Sequence, residues 1–403
     1  IAAVDHGADA VYIGAARFGA RSSAGNSVED IARLTEYAHM YRVKVYVTVN
    51  TILKDEELVE TERLIWELYR AGVDALIVQD MALLELNLPP VPLHASTQMD
   101  NRTPEKARFL QSLGFSQVVL ARELTLEEIR AVHAACNVPL EVFVHGALCV
   151  SYSGQCYVSQ HCFGRSANRG ECAQFCRLKF DMVDNEGRVV EQGRHLLSLK
   201  DMNRGADLER LLDAGVSSFK IEGRLKDVAY VKNVTAWYRR QLDEIFRRRP
   251  EYRKASSGRV ELTFTPHPEK SFNRGFTRYF LDGRTPDIFS FHTPKSLGEE
   301  VGTVKDIRGK CVIVAGTKTF ANGDGLCFLD GSGHLQGFRV NRVDSNKIYP
   351  AEMPQIRPRT RLYRNFDKAF EDVLARPSAT RRIGVNWTLD EYAEGFTLSV
   401  RDE

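Results

Sequence analysis

From residue 1 to about 250, short β-branched runs alternate with capped helical segments, and this rhythm leaves few folds open. The strand-like runs are Ala10 to Gly14, Lys44 to Asn50, Ala75 to Asp80, Leu93 to Gln98, Val118 to Glu123, Leu140 to Gly146 and Ser218 to Arg224. Three phrases, GADAVYIG, GVDALIVQ and GVSSFKIEG, repeat one joint, a helix-ending glycine that leads into a strand. Ser27 with Asp30, Thr103 with Pro104 and Thr125 with Glu128 mark helix starts between the runs. The first helical piece, Ile1 to His6, has no strand in front of it, where an eight-strand barrel would place one. The expected fold is α/β, a (β/α)8 TIM-like barrel over residues 1–250, in a chain expected to start late and to lack the opening strand. A doubly wound sheet would carry a glycine-rich phosphate turn after its first strand, and none is found.

Past residue 255 the texture changes. Runs such as Val260 to Phe264 and Lys310 to Ala315 come with the turns NGDG (Asn322 to Gly325) and DGSG (Asp330 to Gly333), which predicts a small antiparallel β-barrel over residues 256–356. Residues 357–403 read as an Arg-rich linker and the start of a further C-terminal domain. No run of about 18 apolar residues predicts a membrane span, and no secretory leader is read at the start, so the chain is expected in the cytoplasm. The net charge of +2 does not by itself declare a nucleic-acid binder. Two runs, Arg239 to Arg259 and Ile356 to Arg364, interleave cations with Phe246, Tyr252 and Tyr363, a mixture suited to RNA or to a solvated helix end.

Five of the eight cysteines fall in one glycine- and serine-punctuated loop, residues 147–177. Cys149, Cys156, Cys172 and Cys176 leave gaps of six, fifteen and three residues, so two thiol pairs can converge when the loop folds back. Four thiolates suit an iron–sulphur cluster or a structural zinc. The loop follows the Leu140 to Gly146 run, and barrel chemistry collects at the C-terminal ends of strands, so Cys149 is expected on the catalytic face. Among the polar residues at those ends are Arg21, His94, Arg122, His145, Glu222 and Arg224. Cys311 and Cys327 fall in strand-like runs and read as structural.

Glu141, Phe143, Gly146, Ala147, Leu148, Cys149, Gly154, Cys156, Val158 and Ser159 reproduce the spacing of a known signature. In them, and in phrases such as LHASTQ, GRSANRGECAQFCR and SFKIEGRLKD, the chain resembles the collagenase-like peptidase family, and within it a subgroup that forms 5-hydroxycytidine in bacterial 23S ribosomal RNA. The resemblance implies an RNA-modifying hydroxylase, with a [4Fe–4S] cluster on Cys149, Cys156, Cys172 and Cys176 and with prephenate as co-substrate. It places no role on Cys162. For prephenate's two carboxylates, Arg21, Arg122 and Arg224 are the candidate hosts, because guanidinium forks match carboxylates. For proton transfer the candidates are His145, Glu222 and His94. Transfer RNA is the alternative substrate. A peptidase would need Cys149 activated by His145 or a catalytic zinc, and no HExxH sequence is present. A non-catalytic zinc protein is the third reading.

Overall fold

A computed structural model describes residues 1–15, 25–223 and 225–402. Six parallel strands pair in chain order: β1 (Ala10–Gly14), β2 (Lys44–Val49), β3 (Ala75–Val78), β4 (Leu93–Ala95), β5 (Gln117–Val119) and β6 (Leu140–Ala147). Helix α1 (Ala2–Asp5) precedes them, and α2 (Val28–His39), α3 (Leu58–Arg70), α4 (Pro104–Ser112) and α5 (Leu126–Ala135) connect them. After β6 come α6 (Val158–Phe163), a hairpin of β7 (Phe180–Val183) and β8 (Val189–Arg194), then β9 (Asp201–Asn203), α7 (Leu208–Asp213), β10 (Val216–Ile221) and α8 (Val228–Arg248). β10 lies parallel to β6, which completes the seven strands read from the sequence. Among the described residues no strand joins β1 to β10; instead the Tyr12 hydroxyl donates to the Ile221 carbonyl at 3.1 Å.

The helices start where their caps predict. Ser27 accepts from the Asp30 amide, Thr103 accepts from the Lys106 amide with Pro104 in the first turn, and Thr125 forms a full capping box with Glu128. Each satisfies amides that the first turn leaves without an intrahelical partner. The strands, by contrast, end earlier than the polar tails of their runs suggested. Asp80 accepts from the Ala82 amide at 2.9 Å, and the Ser96 side chain accepts from the Gln98 amide at 3.2 Å while its own amide still donates to the Val78 carbonyl of β3 at 2.8 Å. Polar side chains at these ends turn the chain by bonding local backbone.

The remaining elements are β11 (Arg259–Leu262), β12 (Phe276–Thr277), β13 (Glu299–Arg308), β14 (Cys311–Ala315), β15 (Gly325–Leu329), β16 (Leu335–Asp344), β17 (Lys347–Pro350), β18 (Arg361–Phe366), α9 (Lys368–Leu374), β19 (Ala379–Arg382), β20 (Val385–Tyr392) and β21 (Gly395–Asp402). Strands β13 to β18 close into an antiparallel barrel in the order β13-β14-β17-β16-β15-β18. Its core is Val301, Val304, Val312, Val314, Leu326, Phe328, Val340, Ile348, Ile356 and Leu362. Cys311 and Cys327 are buried in it as expected, and burial pushes the Cys327 thiol up to about 12. Among the described residues no helix is long and apolar enough to cross a membrane.

Candidate active site at the barrel mouth

A cavity of about 1610 Å³ runs along the seam between β1 and β10, and its lining takes in every residue of both strands. Deep in it lies a buried ion pair. Glu141 accepts from Lys220 at 2.7 Å, from Ser218 at 2.7 Å and from Gln117 at 3.0 Å, and the Lys220 ammonium sits 4.4 Å from the Tyr12 ring centre. Burial pushes the Glu141 carboxyl up, but Lys220 outweighs it and holds the group ionised.

Where β6 ends, the cysteine loop begins, and close packing fixes its path. Gly146 has φ +107°, and a Cβ there would sit 2.6 Å from the Glu222 carbonyl oxygen. Gly154 has φ +77°, and a Cβ there would come within 2.1 Å of the Gln98 carbonyl. Only glycine meets both conditions. Between them Ser153 donates twice to Glu123, from its amide at 2.8 Å and its hydroxyl at 3.0 Å. Farther along, Arg169 forks onto Glu57 at 2.9 and 2.6 Å, which holds that carboxyl down at about 2.

Cys149, Cys156, Cys172 and Cys176 all line the cavity, whereas Cys162, on α6, is outside the lining; Cys162 and Cys172 are both exposed. Cys149 and Cys156 influence each other's titration: Cys149 is raised by its partner and by burial, and Cys156 is lowered by Cys149. Burial raises Cys176, against the pull of the neighbouring Arg177 charge. Arg177 ties the start of the loop to the segment that leads into β9. Its Nη2 donates to the Leu148 carbonyl at 3.1 Å, and its Nη1 donates to Ser198 Oγ at 2.7 Å and to the Leu199 carbonyl at 3.0 Å. Among the described residues no three His, Cys, Asp or Glu side chains converge closely enough to enclose an ion as they stand. Four thiols lining one cavity are nonetheless a donor set that fits a soft, thiolate-bound metal group.

Of the other expected site residues, Arg122 and Glu222 come together. Arg122 Nη2 lies 3.5 Å from Glu222 Oε2, and the guanidinium stacks 3.9 Å from the Phe143 ring centre, with both residues on the cavity wall. His145 is 1% exposed and caged by Tyr230, Tyr238 and Phe276. Its Nδ1 meets the Tyr238 hydroxyl at 3.3 Å, its Nε2 has no partner, and burial drives its pKa down to about 3. His94 stands edge-on to Tyr46 at 4.7 Å and is lowered by burial to about 4. Both imidazoles are neutral at physiological pH, and neither is part of the cavity lining. Arg21 and Arg224 lie outside the described residues. The sequence reading missed Arg177, Lys226 and Arg274, all on the cavity wall. A cation directly after Cys176 was the available signal for the first. Burial lowers the Lys226 ammonium to about 8.

The family model for peptidase family U32 matches residues 1–289. The chain belongs to peptidase family U32. Over 410 aligned residues this U32 chain is 51% identical to the 23S rRNA 5-hydroxycytidine C2501 synthase of Escherichia coli, with 100% of the chain and 63% of that protein covered. It is 34% identical to tRNA hydroxylation protein P1 of Bacillus subtilis, covering 75% of the chain and 73% of that protein. It is 33% identical to a collagenase of Porphyromonas gingivalis, covering 70% and 71%. The U32 chain thus spans just under two thirds of the length of the Escherichia coli relative.

Proposed function

We propose that this U32 protein is an RNA nucleobase hydroxylase that forms 5-hydroxycytidine in 23S ribosomal RNA, with the four cavity thiols holding a [4Fe–4S] cluster and with prephenate as co-substrate. The observation that carries the reading is the selection among the cysteines: the four that the family resemblance names line one cavity, and Cys162 does not. Placing oxygen at carbon 5 replaces an aromatic C–H bond, which acid–base side chains alone do not accomplish. Cys149, Cys156, Cys172 and Cys176 would hold the cluster, which supplies one-electron chemistry when bound.

The protein's own groups do the rest. Arg177 fixes the backbone on either side of the thiols. Glu222, with Arg122 alongside, presents a carboxylate to the cavity and can take the proton that leaves carbon 5. Neutral His145, locked to Tyr238, packs beneath the mouth. The peptidase reading fares worse on the same geometry, because no hydrogen bond joins His145 to Cys149 among the described residues.

Mass spectrometry of ribosomal RNA from cells lacking the gene tests the substrate. One cytidine is expected to lose the mass of a single oxygen atom, and unchanged RNA would end the reading. In the purified protein, Cys156→Ser should remove the broad absorption near roughly 400 nm from thiolate-to-iron charge transfer along with the activity, while Cys162→Ser should leave both intact.

A further inference from the structure

Two cations on the cavity wall keep unused donors. The Lys226 ammonium lies 3.2 Å from the centre of the Phe272 ring and 5.6 Å from that of Tyr230. It makes no hydrogen bond or ion pair among the described residues. Arg274 packs on the same phenyl ring, its Cζ 4.7 Å from the centre. Its Nε donates to the Pro294 carbonyl at 2.6 Å and its Nη1 to both oxygens of Asp201, which leaves Nη2 without a partner among the described residues. Both distances run to one ring centre, so the two charges stand no farther apart than their sum.

The acids nearby are engaged. Asp201 is taken by Arg274, Asp227 caps α8 through the Tyr230 amide at 2.7 Å, and Glu222 faces Arg122 at 3.5 Å. Asp201 compensates the Arg274 charge on one side, while the Lys226 ammonium, partly stripped of water, has only the phenyl quadrupoles; an anion reaching it and the unused Arg274 Nη2 would offset more of that cost. The lowered proton affinity of Lys226 agrees with the strain.

We propose that Lys226 and Arg274, set on the Phe272 ring, form a carboxylate-binding subsite for a small organic acid inside the barrel mouth. This rests on the co-substrate reading above and adds a second cationic host to the one that Arg122 offers. Size selects the ligand class. The Arg274 side chain is only 10% exposed, so an RNA backbone cannot close around it, whereas a small molecule within the cavity can. The phenyl ring holds the two cations in place from outside the cavity lining, and the ammonium and guanidinium take the ligand's charge.

Isothermal titration of the full chain with prephenate, phenylpyruvate and inorganic phosphate, against Lys226→Ala, Lys226→Met and Lys226→Arg, decides the matter. Thermal melts of the three variants serve as a folding control. Both neutral variants should bind prephenate about tenfold or more weakly, the worth of one charge-assisted hydrogen bond, and Lys226→Arg should stay within about threefold of the parent. Equal prephenate affinity in parent and Lys226→Met would overturn the subsite and leave the co-substrate reading standing. Phenylpyruvate binding that depends on Lys226, without any prephenate binding, would keep the subsite and overturn the choice of co-substrate. Failure of the parent to bind either acid would overturn both, and Lys226-dependent binding of phosphate alone would overturn the carboxylate assignment.

Discussion

Two buried arginine–glutamate pairs separate the scaffold of this protein from its working end. In the antiparallel barrel, Arg364 Nη2 meets Glu299 at 2.7 Å and Asp367 at 3.1 Å, while Nη1 meets Asp324 at 3.3 Å and the Thr319 carbonyl at 2.9 Å. At the mouth of the parallel barrel, Arg122 reaches one carboxylate, Glu222, at 3.5 Å and leans on Phe143. In both arginines Nε lacks a partner, so the terminal nitrogens make the difference. A guanidinium wrapped in acceptors has no capacity left for a ligand, whereas one beside a single distant carboxylate and an open cavity does. Identical residue types thus serve opposite ends, and the degree of hydrogen-bond saturation tells them apart.

The largest effect should come from Arg364→Met. It would take a cation from three buried carboxylates, leaving Glu299 with Lys318, Asp367 with Lys270 and Asp324 with none among the described residues, and unfolding free energy should fall by about 3–5 kcal/mol, measured by urea denaturation followed by circular dichroism. A loss below about 1 kcal/mol, the scale of an ordinary substitution, would erase the contrast. Glu222→Gln keeps the shape of the mouth pair and removes its charge. The rate of the proposed 5-hydroxycytidine formation is expected to drop about 100-fold, with stability kept within about 1 kcal/mol; equal damage to both would make Arg122 and Glu222 a second scaffold pair.

The smallest effect concerns acid. Burial pushes the Glu299 carboxyl up, but its bonds to Lys318 and Arg364 hold it below the ordinary 4.5. A carboxyl lowered on folding contributes stability that is complete above its unfolded value and is lost as pH falls through its folded value. Urea midpoints should therefore decline as pH drops below 4.5, and decline less steeply in Glu299→Gln. Parallel declines in the two proteins would remove Glu299 from the account of the barrel's stability.

Much of this was legible beforehand where the signal is local. β-branched runs gave the seven parallel strands, and Ser27, Thr103 and Thr125 marked their helices because a cap bonds an amide only three residues away. The four cysteines grouped by their spacing, and then by a family signature, are all in the lining of one cavity. What stayed hidden depends on distant partners. β9, three residues reading DMN, exists because it pairs antiparallel with the end of β6, and nothing in its own composition announces a strand. The partner of Arg274, Asp201, lies 73 residues away. Part of the Arg-rich runs was hidden for the same reason: Arg239 bonds Asp9 at 3.0 Å and Asp243 at 2.8 Å, Arg249 bonds Asp213 at 2.8 Å, and Arg364 is buried among acids. Composition reports a charge but not whether the fold neutralises it.

Arg177 carries a consequence for the order of events during synthesis. It grips Leu148 on its N-terminal side and Ser198 and Leu199 on its C-terminal side. The thiol wall therefore cannot be locked until residue 199 has left the ribosome and folded back, by which time Cys149 has already been exposed to solvent for some fifty residues of elongation. A nascent chain is most open to oxidants in that interval, and the clamp that ends it is a single arginine next to the last of the four thiols.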